Sequence, residues 1–100
     1  MGIEEPGTDP PALEITPTKR FRADLKKVDR RGKDLSKLRA VIASLSSGRR
    51  LDPKHRDHAL QGAWSGWREC HIEFDWIFID RVEGATLILG PTGTHSDLLD

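Results

Sequence analysis

The sequence has a single cysteine, no long apolar run and no recognisable targeting segment. Cys70 has no second cysteine to pair with, which excludes an internal disulfide and favours a reducing, cytoplasmic setting. The longest unbroken apolar runs, such as Trp76 to Ile79, are far too short to cross a bilayer, so no membrane contact is expected. The acidic, proline-rich N-terminus lacks the basic and apolar regions of a secretory signal, and none is predicted.

Motifs that bind common cofactors are also absent. The chain contains no phosphate-binding glycine loop, no dinucleotide fingerprint and no nucleophile elbow. Cys70 and His71 adjoin, but adjacent ligands do not match the paired spacing of structural zinc sites. We therefore expect neither a metal nor a cofactor.

What the chain does contain suits one small globular domain. Of its 100 residues, 36% are hydrophobic and 32% are charged, which is typical of a folded protein with a single modest core. Residues 1–11 are polar, rich in proline and glycine, and without periodicity. We predict a flexible tail over residues 1–11 and a single domain over residues 12–100.

Charge is distributed unevenly although the net charge is zero. Residues 18–56 carry fourteen Lys and Arg against four Asp, a net charge of +10, while residues 57–100 have a net charge of −6. A block this basic is a candidate surface for phosphate groups, which attract Lys and Arg without sequence readout. The alternative is a pair of solvated helix faces, and the charge pattern alone does not decide between them.

Hydrophobic periodicity predicts an α+β fold. Ala12 to Ile15 alternate like a short edge strand, and Thr16-Pro17 could cap and open a helix whose apolar stripe is Phe21, Leu25 and Val28. A second helix is expected from a cap at Asp34 to Gly48, so the two helices should form an antiparallel hairpin.

The second half of the chain predicts a small antiparallel sheet. Residues 51–65 read as a loop, and from Gly66 the period changes to two. We predict strands at Trp67 to Ile72, Trp76 to Val82 and Thr86 to Gly90, with Pro91-Thr92-Gly93 ending the last one. The helix hairpin should cover one face of this mainly antiparallel sheet.

Four titratable residues stand beside these strands, and we expect them to converge at one end of the sheet: His58, His71, Asp75 and His95. One imidazole acting as base, another as acid, and a carboxylate that fixes a tautomer would let an RNA 2′-hydroxyl attack its own phosphate. Each residue also has a structural interpretation, because lone histidines are commonly surface groups and an aspartate in a tight turn commonly bonds its own backbone. His55 is assigned no role.

The run RDHALQGAWSGWRECHIEFDW from Arg56 to Trp76, followed by PTGTHSDLL from Pro91, resembles the YafQ branch of the RelE/ParE toxin superfamily. That branch shows the pattern D-H-x-L-x-G-x-W-x-G-x-R-x-x-H-x-x-x-D-W and then R-T-G-[TS]-H. The resemblance extends over about residues 12–100 and implies a RelE-like fold. It also implies a toxin of a bacterial type II toxin–antitoxin system, which is a ribosome-dependent endoribonuclease (an mRNA interferase) with a cognate antitoxin.

The resemblance implies roles for individual residues. His58 would be the general base and His95 the general acid, while His71 and Asp75 would position the scissile phosphate and Trp76 would support that wall. The surface that binds ribosomal RNA and mRNA would include the basic residues of the helix hairpin and two residues of the motif: Lys19, Arg22, Lys26, Arg30, Arg31, Lys33, Arg68 and Trp76.

The chain departs from the family pattern at three positions. Pro91 replaces the arginine before Thr-Gly-Thr-His, Leu99 replaces a phenylalanine, and Asp80 replaces a frequent tyrosine. Arg81 is a candidate to supply the missing cation, provided that its side chain lies on the same face as the histidines. The alternatives to an active enzyme are a weakened or silent module that binds ribosome or antitoxin, and a ParE-like gyrase inhibitor. Gyrase inhibition has no need for the His/Asp set.

Overall fold

A computed structural model describes residues 12–98, so the predicted tail at 1–11 and the position of Leu99 lie outside the described residues. The described chain forms β1 (Glu14–Pro17), α1 (Lys19–Arg30), α2 (Leu35–Ser46), β2 (His58–Ala59), β3 (Arg68–Glu73), β4 (Trp76–Glu83), β5 (Thr86–Gly93) and α3 (His95–Leu98). The strands form one sheet in the order β1-β5-β4-β3-β2. The predicted α+β fold, with a helix hairpin on a mainly antiparallel sheet, is confirmed.

The helix hairpin packs on one face of the sheet through the predicted apolar stripes. Phe21 and Val28 of α1 and Leu38 and Val41 of α2 are buried in the same core as Phe78. Side chains alternate along a strand, so only every second residue of β3 and β4 reaches this core. The remaining residues point to the other face, which the hairpin does not cover.

Helix α1 begins two residues later than predicted. Thr18, rather than Thr16, is the N-cap, and its hydroxyl accepts a hydrogen bond from the Phe21 amide. Thr16 and Pro17 instead belong to β1, which pairs in parallel with β5. The predicted cap at Thr16 is therefore wrong, because pairing with a neighbouring strand extends β1 through Pro17 and moves the helix start.

Two strand predictions also need correction. The loop predicted over residues 51–65 contains the two-residue strand β2 and two short 3₁₀ turns, Pro53–His55 and Gly62–Trp64. Strand β5 does not end at Gly90 but continues to Gly93, because a bulge sets both Gly90 and Pro91 opposite Ile79. A bulge tolerates Pro91, which has no N–H for the ladder.

Asp24 of α1 supplies a hydrogen-bond acceptor for the backbone of β5 beyond the bulge. Its buried carboxylate accepts a hydrogen bond from the Thr92 amide at 3.1 Å. The Thr92 hydroxyl in turn donates to the Ile77 carbonyl and accepts from the Trp76 indole, at 2.8 and 2.9 Å. These bonds fix the end of β5 relative to β4, and therefore fix the point from which α3 starts.

Asp80 is a buried acid without a matching partner. One of its carboxylate oxygens makes no hydrogen bond to the described residues. The pKa of Asp80 is raised to about 7, mainly by burial and to a smaller extent by the charge of Asp57, with Arg68 acting in the opposite direction. Arg68 lies opposite Asp80 in the ladder but directs its guanidinium to Asp57, at 3.2 Å.

Replacing this acid should stabilise the protein at alkaline pH. The folded-state pKa of Asp80 lies above its unfolded value of 3.8, so the penalty for burying its charge is absent below pH 4 and complete above pH 7. We expect Asp80→Asn to raise the free energy of unfolding by about 2 kcal/mol at pH 8 and by much less at pH 5. Urea denaturation at both pH values measures the difference. Asp29→Asn, on the exposed side of α1, is the control, and an equal gain at both pH values would contradict the prediction.

Candidate active site

The face of the sheet that the hairpin leaves uncovered carries the candidate site. On β3, Glu69 and His71 point to this face, since their neighbours Cys70 and Ile72 are buried in the helix-covered core. On β4, Ile77 and Ile79 lie directly opposite them and form a small second core with Leu98 of α3. Apolar β4 residues thus form the floor beside a polar pair from β3.

Three histidines meet around one carboxylate oxygen. The Oε1 atom of Glu69 lies 3.5 Å from Nε2 of His58, 3.6 Å from Nε2 of His71 and 3.5 Å from Nε2 of His95. The imidazole rings of His71 and His95 are 5.4 Å apart between centroids. Glu69 is only 3% exposed, whereas the side chains of His58 and His95 are about half exposed. The predicted convergence of His58, His71 and His95 is confirmed. At its centre lies the buried carboxylate of Glu69, and the histidines around it separate this carboxylate from solvent.

Glu69 is a member of the cluster that the sequence does not predict. One signal was available: Glu69 precedes His71 by two residues on a strand, and this spacing places both side chains on the same face. The short strand β2, which sequence did not predict, pairs His58 directly with Glu69. Without that pairing, Glu69 is one acid among eight in the acidic half of the chain.

His58 is held in one tautomer. Its Nδ1 lies 2.6 Å from the carbonyl oxygen of Arg56, and a carbonyl can only accept, so Nδ1 carries the proton. In the neutral ring Nε2 then has a free lone pair directed at the cluster. Arg56 itself has the left-handed backbone conformation, with φ of 50°, which turns the chain so that its carbonyl faces this ring.

His95 is the first residue of α3, and a tether to the helix hairpin fixes it. The Thr94 hydroxyl accepts from the Asp97 amide, and the Asp97 carboxylate accepts from the Thr94 amide, which together form a capping box. Arg31 donates to the same carboxylate at 2.7 Å. The hydrogen bond from Arg31 holds the pKa of Asp97 well below its usual range, so the tether stays charged at neutral pH.

Asp75 contributes from the rim of the site. It lies in the two-residue turn between β3 and β4, as predicted, and is exposed. Its Oδ1 is 3.7 Å from Nδ1 of His95. Protonated His95 would therefore face a carboxylate at each ring nitrogen, Asp75 at Nδ1 and Glu69 at Nε2.

His55, to which sequence assigned no role, supports His71. Its Nδ1 donates to the carbonyl oxygen of His71 at 2.7 Å. This bond occupies a backbone acceptor on β3 just beyond the last residue that β2 covers. The 3₁₀ turn that carries His55 is thus fastened to the strand that carries His71.

The residues predicted to bind RNA fall into three groups. Lys19, Arg22, Lys26 and Arg30 lie exposed on α1, away from its buried stripe. Arg31, Lys33 and Arg68 are partly exposed but form ion pairs with Asp97, Glu73 and Asp57 respectively. Trp76 is 1% exposed in the helix-covered core, so it braces the sheet from behind and does not offer its indole to RNA.

Arg81 lies on the face that carries the histidines, since it follows Ile77 and Ile79 in the alternation of β4. Its guanidinium lies over the Trp67 ring, 5.4 Å from the ring centroid, and forms an ion pair with Glu83. Pro91 is buried beside Ile79. The side chain of Arg81 therefore lies on the same face as the histidines, as a replacement for the missing arginine would require. Its guanidinium, however, already interacts with Trp67 and Glu83.

Part of the cluster has the composition of a metal site. One ligand atom each from Glu69, His71 and His95 lie within 4.8 Å of one another. Two imidazoles and a carboxylate suit a divalent ion such as Zn²⁺ or Cu²⁺. Cys70 could not join them, because it is buried on the opposite face and burial raises the pKa of its thiol. An ion held here would occupy the same nitrogens that proton transfer requires.

The chain matches the family model described as a bacterial toxin of type II toxin–antitoxin systems, YafQ, over residues 13–100. A relative named mRNA interferase toxin YafQ, from Escherichia coli K12, is 37% identical over 79 residues, which are 78% of this chain and 86% of the relative.

Two solved structures are similar along almost their whole length. A copper-bound mutant toxin from Helicobacter pylori is 40% identical with a TM-score of 0.84, covering 87% of this chain and 99% of that one. YafQ in the E. coli DinJ–YafQ toxin–antitoxin complex is 33% identical with a TM-score of 0.82, covering 89% and 99%.

Proposed function

The chain belongs to the YafQ family of toxins from bacterial type II toxin–antitoxin systems, and from that membership we propose that it is an mRNA interferase. It cleaves mRNA in the decoding site of the ribosome, and a cognate antitoxin restrains it. Ribosomes and mRNA place this activity in the cytoplasm. Residues 12–100 act as one toxin domain. None of the helices in residues 12–98 is long and apolar enough to cross a membrane.

A single observation carries the proposal: three imidazole nitrogens surround one buried carboxylate oxygen within 3.6 Å, on an open face of the sheet. A purely structural role would not gather three titratable rings where solvent reaches two of them. Proton transfer near neutral pH is what such a set of imidazoles can supply.

The reaction is transfer of the phosphoryl group within the RNA strand. The 2′-oxygen forms a bond to phosphorus while the bond from phosphorus to the 5′-oxygen breaks, giving a 2′,3′-cyclic phosphate and a 5′-hydroxyl. His58 takes the proton of the 2′-hydroxyl at Nε2, which is the free position of its fixed tautomer. His95 gives a proton to the leaving 5′-oxygen.

His71 and Asp75 position the reacting groups. The His71 side chain is 15% exposed and its ring stands beside that of His95, so it can donate to a non-bridging phosphate oxygen as negative charge builds there. Asp75 steadies His95 through Nδ1. Glu69 lies behind the three rings and does not need to touch RNA.

The exposed basic face of α1 docks on ribosomal RNA. Lys19, Arg22, Lys26 and Arg30 form no ion pair with any residue among 12–98, so their charges are available to phosphates. Arg31, Lys33 and Arg68, being paired within the protein, contribute less to this surface.

Expression in cells, followed by mapping of mRNA 5′ ends, tests the proposal. Toxicity and new mRNA ends that both vanish with His95→Ala support the enzyme. The silent-module alternative, which the buried Pro91 motivates, predicts no new ends from the unaltered chain and their appearance with Pro91→Arg. Toxicity that survives His95→Ala without new mRNA ends would instead fit a gyrase inhibitor.

A further inference from the structure

A groove runs along the edge of the sheet beside the histidine cluster. It lies between α2 and the 3₁₀ turn Pro53–His55, has a volume of about 670 Å³, and reaches His71 at its inner wall. It is open because β2 pairs only with Arg68 and Glu69, which leaves the later part of β3 without a neighbouring strand. A volume of this size accommodates a short length of single-stranded chain.

Cations dominate the lining of this groove. Arg50, Lys54 and Arg56 face it and form no ion pair with any residue in the part of the chain that the structure describes. The lining also holds two acids. The carboxylate of Glu73 binds both Lys33 and Lys37, at 3.2 and 2.8 Å, and the carboxylate of Asp52 accepts a hydrogen bond from the Lys54 amide. The excess of positive charge favours an anionic occupant.

An exposed aromatic ring stands at the mouth of the groove. Phe74, in the turn between β3 and β4, is 94% exposed. The other exposed large apolar side chains among residues 12–98, Ile15 and Val82, are 45% and 52% exposed. It also lines the groove and is adjacent to Asp75, which lies near His95. Folding gains nothing from a ring so fully in water, so its surface is available for a partner.

We propose that the groove holds unpaired mRNA nucleotides next to the scissile phosphate, with one base stacked on Phe74 and phosphates bound by Arg50, Lys54 and Arg56. Stacking on aromatic rings together with a cationic track is how proteins hold single-stranded RNA without reading its sequence. His71 belongs both to the groove lining and to the histidine cluster, so a strand seated in the groove passes next to the site. This inference rests on the proposed function, since it names the subsite that feeds the same histidines.

Binding of a non-cleavable RNA tests the subsite without requiring turnover. The probe is a fluorescein-labelled, uniformly 2′-O-methylated hexanucleotide, and its affinity for the full chain is measured by fluorescence anisotropy. Phe74→Ala should weaken binding about 10-fold, whereas Phe74→Trp should retain it and Phe74→Leu should not. Val82→Ala removes an exposed apolar side chain at the far end of β4 and should leave the affinity unchanged. Lys54→Ala should reduce the salt dependence of binding by about one phosphate contact.

Abasic probes distinguish stacking from a general effect. A hexanucleotide without the base that stacks should bind the unaltered chain about as weakly as the complete probe binds Phe74→Ala, and Phe74→Ala should not weaken it further. The proposal is overturned if Phe74→Ala leaves RNA affinity unchanged, or if it disrupts only capture of the cognate antitoxin. In either case mRNA ends that still depend on His95 would leave the proposed function intact.

Discussion

Alanine at His58 or at His95 is expected to lower the rate of mRNA cleavage by about 10²- to 10⁴-fold, the usual contribution of one general acid or base. The two side chains contact the same carboxylate oxygen from two different elements, β2 and α3. His58 would act on the attacking 2′-hydroxyl and His95 on the leaving 5′-oxygen of the same phosphoryl transfer, so removing either residue disables the same step. The double variant should therefore be only slightly slower than the slower single variant.

The measurement is single-turnover cleavage of a defined mRNA on purified ribosomes, with His55→Ala as a comparison. His55 binds the His71 backbone and not the cluster, so its loss should slow cleavage much less. Losses at His58 and His95 that multiply in the double variant would indicate two independent contributions and contradict a shared step. Full activity in either single variant would remove that residue from the chemistry.

The sequence predicts most of the scaffold because its cues are local. The stripe of Phe21, Leu25 and Val28 identifies α1, and the change to a period of two identifies the meander. The features of the fold that the sequence does not predict depend on contacts between residues far apart in the chain. The cap at Thr18 depends on pairing of Thr16 and Pro17 with β5, and the extension of β5 depends on a bulge that Asp24 completes from another element.

In the candidate active site, too, the sequence predicts what local motifs determine and misses what non-local contacts determine. The three histidines could be placed from motif and strand order, but Glu69 could not be separated from surface acids until β2 was known to pair with it. Burial decided other roles: Trp76 is enclosed in the helix-covered core. Arg31, which the sequence predicts to contact RNA, also forms an ion pair with Asp97 that fastens α3. Each of these outcomes depends on a contact that spans more than ten residues of chain.

Glu69 provides the second large prediction. Glu69→Ala should reduce cleavage by about 10²-fold although Glu69 is buried behind the histidines, because a small misplacement of reacting groups costs about that much. The substitution removes the carboxylate that lies within 3.6 Å of His58, His71 and His95, so the three rings lose the group around which they are arranged. It also leaves a space in front of Ile79, which lies directly opposite on β4.

Matched variants separate positioning from mere stability. Glu69→Gln keeps the volume of the side chain but removes the charge, so it should fold normally and still lose most of its activity. Glu69→Asp keeps the charge on a shorter side chain and should recover part of the rate.

Single-turnover cleavage and thermal unfolding are measured on the same preparations, together with the pH dependence of the rate. No other carboxylate of residues 12–98 lies within 3.6 Å of all three rings. Neutralising Glu69 should therefore change that pH dependence, whereas a purely structural defect would scale the rate equally at every pH. Activity in Glu69→Gln equal to that of the unaltered chain would show that the histidines need no common charge and would reduce Glu69 to a packing residue.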